Sequence, residues 1–186
     1  MKDSLKRALL DGRFEDTEMG LLVPSERLFV QGVFYYNKRG EPEEQTRNML
    51  VTEGRNYMLA AALKGGSVHT SWRIAPFAGD VTVQAAWTAA TFTSAATEVT
   101  AYASATRPAW TGGDVSGGAV DSFASKAEIK ATSDNVVIRG AALISASAKS
   151  STAGTLLAAA RFTSAKTLDT DEILDIGYGI QLVVAT

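Results

Sequence analysis

The chain has no cysteine among its 186 residues, one histidine, and charged side chains at only 20% of positions. Each scarcity removes a class of chemistry. Without thiols there is no disulfide framework, no thiolate ligand and no cysteine nucleophile. A lone imidazole, His69, cannot build a multi-histidine metal site, and a formal net charge of -2 makes no electrostatic case for nucleic acid. An apolar run of the about 18 residues that span a bilayer is absent, and Asp11 cuts the opening apolar stretch short of a signal-peptide core. The expectation is neither a membrane-spanning nor a secreted chain.

What is present is apolar and small. Apolar residues reach 46%, much of it alanine, with glycine, serine and threonine between the larger hydrophobes. A chain of this length encloses a substantial core as one domain, or as one domain plus an arm. Charge marks the division: residues 1–56 hold 19 of the 38 charged side chains, residues 57–120 only six. Residues 1–26, where Gly12, Gly20 and Pro24 interrupt any period, read as an extended N-terminal arm, and 27–186 as the folded domain.

The clearest pattern lies at the far end. Over Glu172–Val184, the residues Leu174, Ile176, Tyr178, Ile180, Leu182 and Val184 alternate with Asp175, Gly177, Gly179 and Gln181, the period of a strand with one buried face. Ser122–Ala131, Val136–Ala146 and Thr155–Phe162 read as further strands, separated by turn formers at Ser133–Asn135, Lys149–Gly154 and Leu168–Asp171. Leu28–Tyr36 is a first strand before the turn Asn37–Gly40, and Trp72–Ala78 one that Pro76 restricts to an edge or bulge. Glu98–Ala103 fits a strand, Val81–Ala95 fits either a strand or an Ala-rich helix, and Ser104–Gly118 is a long loop anchored by Trp110. One helix is expected near 53–64, with Thr52 as N-cap and Gly65-Gly66 at its end. Together these predict a mainly β fold, an antiparallel β-sandwich or jelly roll with one short helix and an extended arm.

Four groups of residues invite a chemical reading, and each has a plainer one. Gly112-Gly113 and Gly117-Gly118 lack both the Lys-Ser/Thr of a phosphate loop and the βαβ setting of a dinucleotide fingerprint, so loop conformation or tight packing accounts for them. Asp169, Asp171, Glu172 and Asp175 carry charge enough for a hard cation but not EF-hand spacing; a solvated turn leading into a strand uses the same residues. His69 stands near Ser67 and Ser71 without a nucleophile-elbow motif, which favours a surface or loop-packing histidine over a triad. Trp72, Trp87, Tyr102 and Trp110 can fill a core, anchor an interface or stack on a glycan. No catalytic residue, cofactor or metal ligand is expected.

Thr52-Glu53-Gly54-Arg55-Asn56-Tyr57-Met58-Leu59 with Ala60–Leu63, followed by Trp72-Arg73-Ile74-Ala75-Pro76-Phe77, resembles the helical entry and aromatic-rich strand of small structural proteins of tailed phages. Thr97-Glu98-Val99-Thr100-Ala101-Tyr102 and Ala105-Thr106-Arg107-Pro108-Ala109-Trp110 are similar to a Glu-x-x-x-Tyr segment and a Thr-Arg-Pro-x-Trp loop of that group. Gly140–Ile144 with Gly154–Leu157 resembles its paired final strands. The resemblance covers about residues 50–186.

That resemblance implies a non-enzymatic capsid decoration or cement protein, made in the host cytoplasm and carried on the outer surface of the virion's capsid. Its implied partners are the major capsid protein, bound across subunit junctions, and further copies of itself in a homo-oligomer, with neither nucleic acid nor membrane in direct contact. A tail or neck component, or a host-surface or glycan-binding module, is the alternative, and an enzyme acting on cell-wall sugar is a third. Arg7, Arg13, Leu21, Leu22 and Val23 of the arm, with Arg107 and Trp110 of the loop, are the expected interface residues.

Overall fold

The alternation near the end of the chain becomes β12 (Ile173–Val184), antiparallel to β3 (Leu28–Lys38) along its full length, from Leu28↔Val184 to Lys38↔Leu174. The computed structural model describes residues 14–16, 22–24 and 28–184. This pair is the centre of one sheet, completed by β4 (Glu44–Arg47) beside β3 and by β8 (Ala119–Asp121) and β9 (Ala127–Lys130), both paired with β12. A second sheet runs β5 (Met49–Leu50), β11 (Leu156–Leu168), β10 (Val136–Ile144), β6 (Trp72–Phe77) and β7 (Ala109–Trp110), with every pairing antiparallel. β1 (Phe14–Asp16) and β2 (Leu22–Pro24) pair with each other as a separate two-stranded sheet. Among the described residues, two short helices, α1 (Thr52–Leu63) and α2 (Ala89–Ala95), complete a mainly β, two-sheet antiparallel fold.

The sheets share a core. Phe34, Tyr36, Leu174, Ile176 and Tyr178 from one sheet meet Ile74, Ile138, Ala141, Leu143, Ala158 and Phe162 from the other. Each large side chain withdrawn in this way stabilises the fold by about 1.5–3 kcal/mol. A second core lies on the opposite face of β10 and its neighbours, where Ala75, Phe77, Ala142, Ile144 and Ala159 pack under Val83, Trp87, Ala89 and Phe92. The central sheet is therefore covered on both sides. This explains why Gly140–Ile144 is continuously buried where β3 alternates over Gln31–Asn37.

Several local expectations shift. Val81–Ala95 resolves as α2 over its last seven residues, started by the Thr88 N–H donating to Thr91 Oγ1 at 3.0 Å. Glu98–Ala103 is not a strand, because it touches the sheets only through isolated bridges, Phe77↔Glu98 and Tyr102↔Ala131. Ser122–Ala131 narrows to β9, since Ser125 N turns back onto Ser122 O. Thr155–Phe162 runs on to Leu168, with Thr163, Ser164, Ala165 and Thr167 exposed and Lys166 half-buried. Thr52 is the first helical residue rather than the cap; Val51 holds that position and Arg55 Nη2 donates to Thr52 Oγ1 at 3.0 Å. Gly65, at φ 63°, and Gly66, whose N–H reaches Ala60 O, do end the helix. Within the arm, Phe14–Asp16 and Leu22–Pro24 are paired strands; its other residues lie outside those described.

Pro76 is accommodated by direction. Its carbonyl accepts from Val99 N at 2.9 Å, on the side away from β10, and a strand residue's N and C=O point to the same side. The missing donor therefore removes no bond from the β6–β10 ladder. Beyond Arg73, β6 has no partner strand on that side, which is the edge position expected of a proline.

Candidate functional site

Arg107, expected at an interface, is instead wholly buried. Its Nε and Nη2 donate to Glu98 Oε1 and Oε2, each at 2.7 Å, and the two side chains are 0% and 1% exposed. Two more of its five N–H donors are used: Nη1 on Ala146 O and Nη2 on Ser151 O, both at 3.1 Å, while Ser150 N donates to Glu98 Oε2 at 3.1 Å. The pair thus clamps the loop after β10 to the segment joining α2 and β7. A guanidinium with four of its five donors bonded inside the fold and no exposed surface is a staple, and it offers nothing to a surface partner.

Lys149 reinforces that clamp. Its Nζ donates to Thr100 O and Tyr102 O at 3.0 and 2.7 Å and lies 3.7 Å from the centre of the Tyr102 ring. Desolvation lowers the lysine pKa, and burial raises that of Tyr102, whose hydroxyl finds no partner among the described residues.

Trp110 stands at the other end of this segment. Its register position is opposite Trp72, and its indole N–H donates to Tyr178 O at 2.9 Å, tying one sheet to the other. The anchored ring forms a wall of a cleft of about 610 Å³, whose floor is Leu143, Leu157 and Tyr178 and whose other walls include Tyr57, Trp72 and Ile180. No lining residue carries a formal charge; Thr70, Ser71 and Thr111 bring the hydroxyls. His69 lies beside it in a packing role, stacked on Tyr57 at 4.8 Å, its N–H on Tyr57 Oη and its Nε2 2.9 Å from Thr155 Oγ1.

The other candidates take their plainer readings. Gly117 and Gly118, at φ 57° and 74°, form the two-residue turn closed by reciprocal Ser116–Ala119 backbone bonds. The acidic cluster is paired with cations: Glu172 with Lys38 at 2.6 Å, Asp171 with Lys130 and Asp175 with Arg39, both at 2.8 Å. Among the described residues no group of three or more acidic or imidazole side chains is placed to hold a metal ion, and no helix is long and apolar enough to cross a membrane. Leu22 and Val23 fall in β2, while Arg7, Arg13 and Leu21 lie outside the described residues.

Sequence reasoning missed Glu53. From the first turn of α1 its Oε2 accepts from Ala89 N at 2.8 Å and Leu156 N at 2.7 Å, joining α1 to the start of α2 and to β11. The available signal was its place in the first turn, where a carboxylate suits a helix. Nothing local pointed to backbone donors 36 and 103 residues away.

Fold and site together define a two-sheet antiparallel β protein with a buried ion-pair staple and an uncharged, aromatic-walled cleft. Comparison with family models, with curated proteins and with solved structures returns no match.

Proposed function

We propose that this chain is a non-enzymatic capsid decoration or cement protein of a tailed phage, bound across junctions of the major capsid protein on the outside of the mature head. The observation that carries this reading is the Glu98–Arg107 pair. These are the two charged side chains of the segment 97–110 that resembles the phage group, and they are held inside the fold at 2.7 Å, where they maintain shape. Shape is what a cement protein supplies: binding the expanded lattice and not its separated subunits stabilises the lattice by linkage, with no chemical step. A jelly-roll or sandwich body with an extended arm suits that task, the body as a fixed surface and the arm as a second point of attachment that multiplies weak contacts.

The test is incubation of purified protein with expanded empty capsids, followed by cosedimentation and cryo-EM reconstruction. Regular density over subunit junctions, with raised capsid resistance to heat, is the expected result. Density confined to the tail vertex, or no cosedimentation, overturns the decoration reading.

A further inference from the structure

A chain without cysteine can still cross-link its own strands where a lysine amine meets a side-chain amide. On the outer face of the β3–β12 pair Lys126 meets Asn37 and Glu43, from which it stands 89 and 83 residues away in sequence. Its Nζ donates to Asn37 Oδ1 at 3.4 Å and to Glu43 Oε2. We infer that these side chains form an intramolecular isopeptide bond from Lys126 Nζ to Asn37 Cγ, with the Glu43 carboxylate moving the proton. This goes beyond the decoration reading and does not rest on it.

The sheet is laid out for that meeting. Lys126 precedes β9, on one side of β12, and Asn37 belongs to β3, on the other. The lysine stem crosses β12 at Gly177, where a Cβ would lie 3.3 Å from Lys126 Cγ. Tyr35, the register partner of Gly177, carries Phe123 stacked at 4.0 Å, and the Lys126 side chain is 21% exposed, so most of the lysine is withdrawn from water. Neighbouring carboxylates do not compete for it, because Arg39 holds Asp175 at 2.8 Å and Glu128 at 2.6 Å. With Nζ 3.4 Å from Oδ1 and a C=O bond of about 1.2 Å, the carboxamide carbon lies within about 4.6 Å of the amine. A small torsion of the lysine stem closes that to the about 3–3.5 Å of reacting atoms.

The reaction balances without an oxidant or cofactor. Glu43 takes one proton from the Lys126 ammonium, and the freed amine lone pair attacks Asn37 Cγ. The Nζ–Cγ bond forms and the Cγ–Nδ2 bond breaks, with a second proton passing from Nζ to the departing nitrogen. Ammonia leaves as ammonium with the proton that Glu43 held, which restores the carboxylate. The product ties β3 to the segment before β9 across β12.

Intact mass of the purified full-length chain, followed by tryptic mapping, tests this without capsids. The expected chain is lighter than its sequence requires by about 17 Da, one ammonia, and yields a branched peptide joining Asn37 to Lys126. Lys126→Arg keeps a cation beside Glu43 but no acylable amine, and is expected at full mass with an unchanged circular dichroism spectrum. Glu43→Gln is expected to convert at least about tenfold more slowly. A folded unsubstituted chain that stays at full mass through incubation at neutral pH overturns the inference and leaves an ion pair only. A mass loss confined to one unbranched peptide, which is succinimide formation, also overturns it, as does a branched peptide that forms equally fast in Glu43→Gln.

Discussion

Arg107 and Glu98 form a two-pronged ion pair in the interior, nine residues apart in sequence and bound through Ala146, Ser150 and Ser151 to the loop after β10. Removing one partner strands the other without water. Arg107→Ala is expected to lower unfolding free energy by about 3–5 kcal/mol, whereas replacing both residues by apolar ones of similar volume restores much of the loss. Chemical denaturation of the two single variants and the double variant measures this; equal losses in all three would show that the pair is not the staple.

Tyr102 makes the opposite prediction. Its ring is buried and faces Lys149 Nζ, but its hydroxyl lacks a partner among the described residues. Tyr102→Phe keeps the ring and removes a desolvated oxygen, so stability is expected to stay level or rise by about 1 kcal/mol. A loss of that size in thermal or denaturant unfolding would reveal a bond to the hydroxyl.

Gly54 tests the seat of α1. An exposed helical glycine gains up to about 1 kcal/mol on replacement by alanine, but a Cβ here would press on the backbone of Leu157. Gly54→Ala is expected to destabilise by about 1–3 kcal/mol. A rise in melting temperature would mean that α1 is free to lift from β11.

Acid should loosen the surface pairs. The hydrogen bond from Lys38 lowers the Glu172 pKa, that from Lys166 lowers Glu44, and that from Thr170 lowers Asp134. Carboxylates with folded pKa values below their unfolded ones contribute stability above the ordinary value, about 4, and lose it as pH falls through the folded value. Melting temperature is thus expected to hold near neutrality and decline below about pH 4, with a shallower decline in the Glu44→Gln/Glu172→Gln double variant. An identical profile for that variant would show that these pairs contribute nothing.

Elements with one wet face are legible in the sequence. β3 alternates in burial over Gln31–Asn37 because its sheet meets the other on one side only, whereas β12 opposite it alternates in sequence but is buried continuously over Ile176–Gly179, where Ser122 and Lys126 lie against Gly177. Legibility falls where local sequence has two outcomes. Val81–Ala95 became irregular chain and then a helix because Trp87 and Phe92 had Phe77 to pack on, an aromatic group reached only after β6 is in place. Glu98–Ala103 has strand-forming residues, but Glu98 is drawn toward Arg107 and only isolated bridges form.

The site shows the same division. Trp110 as the anchor of its loop was readable, since a large aromatic among glycines and small polar residues needs somewhere to pack. Arg107 read as a surface residue because charge is ordinarily exposed; its burial required a carboxylate and three loop groups brought from elsewhere.

Periodicity, turn chemistry and the lack of cysteine thus suffice for a disulfide-free, mainly β chain with a helix near residues 53–64, which the structure places at Thr52–Leu63. They are local properties, carried by each segment wherever it lies. The covered second face of the β10 sheet, the buried Glu98–Arg107 pair and the cleft between Trp110 and Tyr57 are not local. Each depends on which distant groups share a small volume without water, and that is settled by how the sheets pack.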